Sequence, residues 1–264
     1  MTAASRPQAR RPVRSAYYAA GSLLTTLLAW EAVVRLGNVS DQVVPPVSDV
    51  IRVMVDDAGI LIEATLETLQ GIALGYGAAV VVSLALATAI VAWRPFENTV
   101  YPILVATQAI PKIAIAPLLA VWFGFGMSSK VVLVFLICFF PIVVDTVIGL
   151  KSLKADTVYL ARSMGASRYK IFLRLRFVNA LPDIFGGVKV AAVFAVSAAV
   201  IAEYITLAGG MGSLLVRANA ELDTERAFAI VGYLTIVGIV IFYAIELLEA
   251  RLVSWHVSRR SAAA

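Results

Sequence analysis

The sequence predicts an all-α polytopic membrane protein with six transmembrane helices. Three observations favour this fold class. Of the 264 residues, 61% are hydrophobic and only 15% are charged, whereas soluble domains carry about 25% charged residues. The mean hydropathy is +0.89. Apolar runs close to the ~20 residues that a helix needs to cross a bilayer recur along the chain. A chain of this length and composition fills one membrane domain and leaves no room for a second folded unit.

The predicted elements follow the apolar runs in order. An Arg- and Pro-rich tail precedes the first run and is expected to be disordered. Pro45-Pro46 excludes helix after the first span, and Ser48 is placed to cap a short amphipathic helix. The first apolar run shows no cleavage site, so we expect no cleavable signal peptide. The six spans are predicted at 16–36, 66–92, 98–123, 129–150, 183–207 and 227–251. The resulting division is tail 1–15, first span and outer segment 16–58, core domain 59–251 and tail 252–264.

The basic residues set the predicted orientation. With the N-terminus inside the cell, fifteen Lys and Arg lie in inner segments and five lie in outer segments, Lys130 among the five. Lys112 and Lys189 fall within spans. An excess of this size is a strong positive-inside signal, so both termini are predicted to be cytoplasmic. The same distribution explains the net charge of +5 without nucleic acid, which we do not expect as a partner.

The stretch 151–182 is the one long basic and amphipathic segment of the chain. Two short helices are predicted in it: Asp156 caps the first, Gly165 ends it, and Ser167 caps the second. Such a helix between two spans needs a surface to dock against, although a loop that only sets orientation is equally consistent with the composition. Spacing of i, i+3, i+4, i+7 places four residues of the second helix on one face: Tyr169, Phe172, Leu173 and Arg176.

The run from Ala161 to Arg168, followed by Ala180-Leu-Pro182, resembles the cytoplasmic "EAA" loop of type I ABC-importer permeases. The resemblance implies the transmembrane fold of that family (MetI-like), with the loop seated in a cleft of an ATPase subunit. It departs from the family pattern at Tyr159, Leu160 and Val178, where Glu, Ala and Pro are usual. The docking surface is expected to be retained, while the contact of the missing carboxylate stays open. The residues expected to couple to the ATPase are Ala161, Arg162, Ser163, Met164, Gly165, Ala166, Ser167 and Arg168.

Other stretches, VPPVSDV at 44–50, QAIPKIAIAPLLAVWFGFG at 108–126, FFP at 139–141 and AE at 202–203, are similar to the nitrate, sulfonate and taurine branch of these permeases. The resemblance implies a permease in the bacterial inner (plasma) membrane that works with an ATPase dimer and an extracytoplasmic solute-binding protein. A second permease copy is also implied, most simply as a homodimer. The expected substrate is a small solute such as a sulfonate, taurine, nitrate or a heterocyclic vitamin precursor.

The sequence contains no Gly-Lys pair, so the phosphate-binding loop of an ATPase is absent. One Cys (Cys138) and one His (His256) offer neither a metal cluster nor a nucleophile with its base. We therefore expect no enzyme activity, no metal and no cofactor in this chain, with ATP bound by the partner subunit. An ATP-independent secondary carrier or channel is the alternative, which would need its own coupling-ion site and inverted repeats.

The third span is interrupted by Pro102, Pro111 and Pro117. Broken backbone at membrane depth is tolerated only against protein or a water-filled cavity. Ionisable groups inside spans are costly unless they face such surroundings. The candidate translocation-path residues are therefore Gln108, Lys112, Asp145 and Glu203.

The role of each of these groups has an alternative. Lys112 meets an anionic solute, or it snorkels towards water or pairs with a carboxylate. Glu203 contacts the solute or hydrogen-bonds as a hinge of an outer gate. The glycines of the second span, Gly71, Gly75 and Gly77, are predicted to form a helix-packing face. The run 209–212 (GGMG) is either a loop that supports a gate or a plain turn.

Overall fold

The computed structural model describes residues 12–37, 39–40 and 42–253, and in these ranges the regular elements are all helices, with no β-strand. Residues 1–11 and 254–264 of the two predicted tails lie outside the described residues. Residues 12–15 of the first tail are part of a helix. The helices are α1 (Pro12–Leu36), α2 (Val47–Asp56), α3 (Ala58–Ala92), α4 (Arg94–Thr107), α5 (Lys112–Phe123), α6 (Met127–Lys151), α7 (Ala155–Ser163), α8 (Arg168–Ile171), a π-helical turn (Phe172–Arg176), α9 (Phe177–Thr206), α10 (Gly210–Ala220) and α11 (Thr224–Leu252).

Four helical stretches in the described ranges are long and apolar enough to cross a membrane: α3, α6, the continuous run Arg168–Thr206 and α11. The pair α4 and α5 adds a fifth if it forms one span, but its two halves are bent by 94°. The break predicted in the third span falls at Pro111, whereas Pro102 and Pro117 lie inside α4 and α5. The predicted first span corresponds to α1, which is not among these stretches.

The core is built on α6, which packs along both α3 and α9. Small residues allow these helices to approach closely, because a bare backbone presents little bulk. Gly75 lies against α6, where an added Cβ would be 2.7 Å from Val134 Cβ. Cys138 is fully buried in this core and its Sγ donates to the Ala191 carbonyl at 3.3 Å. The packing face predicted for α3 is therefore found at Gly71 and Gly75, while Gly77 faces open space.

The loop 151–182 differs from its prediction in its second half. α8, the π-turn and α9 form one uninterrupted helix of 39 residues, with Pro182 inside it. Tyr169 is 73% exposed while Phe172 packs on the core. Tyr169, Phe172 and Arg176 nevertheless line one groove, in agreement with the face predicted for them, whereas Leu173 does not line it. The fifth span thus begins in the loop itself.

Two of the four predicted helix-end residues, Ser167 and Gly165, take their predicted positions, and Asp156 and Ser48 do not cap their helices. Ser167 caps α8, accepting from the Lys170 N–H at 3.3 Å, and Gly165 follows α7 with φ +82°. Asp156 lies in the first turn of α7 without a capping bond. Ser48 is not the cap of α2 either, since its hydroxyl donates to Glu31 Oε1 at 2.9 Å and ties α2 to α1.

Candidate functional site

The segment from Ala161 to Arg168 lies at one end of the molecule, between the ends of α6 and the long helix that contains α9. Its turn is built by Gly165, whose positive φ few other residues adopt and whose N–H donates to the Arg162 carbonyl at 2.9 Å. Three large apolar side chains around it are open: Tyr159 and Met164 are each 78% exposed and Leu160 is 61% exposed. Apolar side chains grouped at a helix end indicate a contact surface.

A cavity of about 560 Å³ brings together Gln108, Lys112 and Asp145, three of the four residues predicted for the translocation path. Gln108 directly follows the last residue of α4, and Lys112 is the first residue of α5. The break between these helices therefore brings both residues to the cavity, whose other wall includes α6. The Lys112 ammonium lies 4.5 Å from the centre of the Phe140 ring. Such a cation–π contact holds the ammonium at the wall without neutralising it. The remaining wall includes Pro141, Val190 and Phe194.

Glu203 does not line this cavity. Its side chain is fully buried, and Oε1 lies 2.7 Å from Nζ of Lys130, itself only 2% exposed. Oε2 accepts from the Thr68 hydroxyl at 3.0 Å and from the Gly212 N–H at 2.9 Å. Lys130 was expected in an outer segment, but it lies in the interior, against Gly71 of α3. The pair therefore joins α6 to α9 in the protein interior.

The same cluster fastens α10 to α3. The Gly210 N–H donates to Glu67 Oε2 at 2.6 Å and the Met211 N–H donates to the Thr68 hydroxyl at 2.9 Å. With Gly212 on Glu203, three successive N–H groups of the first turn of α10 are satisfied by side chains, which a helix N-terminus requires when it is buried. The run 209–212 is therefore the start of a buried helix and not an open loop.

A second buried ion pair joins Lys189 of α9 to Glu249 of α11. Both side chains are about nine-tenths buried, and the ammonium also lies 5.9 Å from the Phe242 ring centre. Lys189 was placed within a span by the sequence, but its partner was not recognised. Opposite charges at comparable depth in two spans are the signal that would have suggested the pair.

A family model matches residues 67–254, and its description is "Binding-protein-dependent transport system inner membrane component". That match runs from within α3 to the end of α11. The chain belongs to this family. It is the permease subunit of an ABC importer, the membrane component of the transport system.

Curated relatives cover much of the permease. The formylaminopyrimidine transport permease protein ThiX of Halalkalibacterium halodurans is 32% identical over 88% of this chain and 93% of its own. The taurine transport system permease protein TauC of Escherichia coli is 28% identical over 89% of this chain and 88% of its own. The riboflavin transport system permease protein RibX of Chloroflexus aurantiacus is 35% identical, over 62% of each chain.

A solved structure shares the fold. A chain of the MetNI methionine ABC transporter, in an inward-facing conformation, superposes with a TM-score of 0.63 over 74% of this permease and 97% of that chain. The identity is 18%, so the likeness concerns the fold alone. The expected all-α, MetI-like fold is confirmed, while the six spans and their orientation stay predictions.

Proposed function

We propose that this permease forms a gated path for a small organic or inorganic solute and is moved by a separate ATPase subunit that grips the segment Ala161–Arg168. The observation that carries the proposal is the exposed surface of α7 and its turn, at the point where α6 ends and the long helix begins. A subunit that closes on ATP and holds this segment would move α6 and α9 together, because these two helices share the longest packed interface of the core.

The solute path is assigned to the cavity at the break between α4 and α5. Its volume of about 560 Å³ suits a small molecule, and Gln108, Lys112 and Asp145 supply polar groups in an otherwise apolar wall. The ammonium and the Phe140 ring favour an anionic or planar solute. Relatives named for taurine and for formylaminopyrimidine transport agree with that range.

The complete importer follows from these roles. We assign ATP binding to the ATPase subunit and no cofactor or enzymatic step to the permease. An ATPase dimer requires two coupling segments, so two permease copies, most simply a homodimer, complete the assembly. A solute-binding protein delivers the substrate from outside. The permease would lie in the bacterial inner membrane with six spans, α1 being the first, and with both termini in the cytoplasm, in agreement with its basic residues.

Copurification tests the coupling segment. Arg162→Glu with Arg168→Glu reverses two exposed charges on it, and the ATPase subunit should no longer copurify with the permease. Arg52→Glu is the control, because Arg52 is 79% exposed and lies in α2. α2 precedes the first residue of α3, whereas the coupling segment lies near the last residue of α3. Retention of the ATPase together with undiminished ATP-driven uptake would refute the assignment. Uptake by the permease alone, driven by an ion gradient, would establish a secondary carrier instead.

A further inference from the structure

A basic groove lies beside the coupling segment, with a volume of about 870 Å³. Its floor is partly apolar and its rim is cationic. The apolar side chains come from the end of α3, from α7 and from the start of the long helix: Val91, Ala92, Val158, Ile171 and Phe172. The cations come from four separate parts of the chain: Arg94, Lys151, Arg162, Arg168 and Arg176.

The charges of the groove do not balance. Glu97 is the one acid among its lining residues, and it is held by Lys151, whose Nζ donates to Glu97 Oε1 at 2.6 Å. Within the described part of the chain, no carboxylate forms an ion pair with Arg94, Arg168 or Arg176. Uncompensated guanidinium groups converging on one cavity favour an anion, because their forked N–H groups match phosphate geometry.

The groove lies at the ends of two helices that are long and apolar enough to cross a membrane. α3 ends at Ala92 and α6 ends at Lys151, and both residues line it. Trp93 follows at once, 62% exposed and stacked on Phe96 with ring centres 6.1 Å apart. Exposed tryptophan at a span end is typical of the membrane–water interface. An occupant can therefore place a charged group on the arginines and an apolar part on the floor of the groove.

We propose that this groove binds the headgroup of an anionic phospholipid of the membrane leaflet that faces the ATPase, with the phosphate on Arg94 and Arg176 and the first acyl carbons over Val91 and Phe172. Basic pockets at the ends of spans recognise anionic headgroups in this way. The bound lipid would connect the junction between α3 and α4 with the first turns of the long helix. The proposed function enters only in naming the leaflet, since lipid binding itself needs no ATPase.

Native mass spectrometry of the purified permease tests the site with phosphatidylglycerol and phosphatidylcholine as probes. Wild type should retain phosphatidylglycerol in preference. Each arginine contributes about a fivefold factor, so Arg94→Gln with Arg176→Gln should bind phosphatidylglycerol about 25-fold more weakly. The control variant, Lys170→Gln with Arg174→Gln, also removes two positive charges, but from exposed positions near the start of the long helix that do not line the groove. This control should bind phosphatidylglycerol as wild type does. If the double variant does not fold, Arg94→Gln alone should give the fivefold loss.

Four results would overturn the proposal. Equal retention of the two lipids by wild type would exclude headgroup recognition. Equal losses in the groove variant and the control would reduce the effect to net charge. Displacement of phosphatidylglycerol by millimolar inorganic phosphate would assign the arginines to a free anion. Loss of the ATPase subunit from the groove variant, with lipid binding unchanged, would assign them to a protein contact. The last result leaves the coupling assignment intact, so the two proposals fail separately.

Discussion

Breaking the Lys130–Glu203 pair should destabilise the permease severely, whereas removing both charges should not. Lys130→Met leaves the Glu203 carboxylate buried with only the Thr68 and Gly212 donors, and Glu203→Gln leaves a buried ammonium. An uncompensated buried charge costs about 3–5 kcal/mol, while a neutral replacement of both partners is often nearly neutral. Each single variant should therefore lose about 3–5 kcal/mol of unfolding free energy. The double variant should lose less than either single variant, which is a recovery of more than about 3 kcal/mol relative to the sum of the two losses.

Equilibrium unfolding by sodium dodecyl sulfate in mixed micelles, followed by circular dichroism, measures these free energies. Arg52→Met is the control, since its ion pair with Asp56 is exposed and surface pairs contribute about 0–1 kcal/mol. The double-mutant cycle isolates the pairwise energy. Single variants within about 0.5 kcal/mol of wild type, or losses that simply add in the double variant, would refute the conclusion that this pair is a closed, buried unit.

Two further predictions concern α10 and the cavity. Gly210→Ala should destabilise the permease by about 1–3 kcal/mol in the same titration, because a φ of +80° is strained for alanine and the new Cβ would overlap the Glu203 carboxylate. Gly77→Ala is the control, since there is open space around Gly77. An equal loss of stability in the control would contradict the argument. Lys112→Met should lower uptake of an anionic solute by the reconstituted importer about tenfold, the scale of one lost charge-assisted bond, with ATPase copurification unchanged. Full uptake by that variant, measured with the solute that its binding protein retains, would remove Lys112 from the path.

The architecture was predictable where the signal is local. Apolar runs located the long helices, and Pro111 located the break between α4 and α5 because proline cannot continue the hydrogen-bond pattern of the preceding turn. Ser167 and Gly165 were found from cap chemistry alone. Pro182 misled the prediction of the fifth span, since a proline inside a membrane helix can be tolerated when neighbouring helices compensate.

The buried polar cluster was not predictable, for a physical reason. Lys130 stands near the start of α6 and Glu203 near the end of α9, 73 positions apart, and only the packing of these helices brings them together. A lone lysine near a span end looks like an outer-segment charge when its partner is not known. Gln108 and Lys112 do line one cavity, because they flank the same proline break and lie close together in the sequence, while their part in a solute path stays a prediction.

The uninterrupted helix from Arg168 to Thr206 has a mechanical consequence. At 1.5 Å per residue, its 39 residues form a lever about 58 Å long. One arm begins at the segment assigned to the ATPase, and the other carries Glu203 and, through it, α10. A tilt of about 5° would displace the far tip by about 5 Å relative to the near one. A displacement at the segment assigned to the ATPase can thus reach the far end of this helix along one backbone, without a relay of side chains.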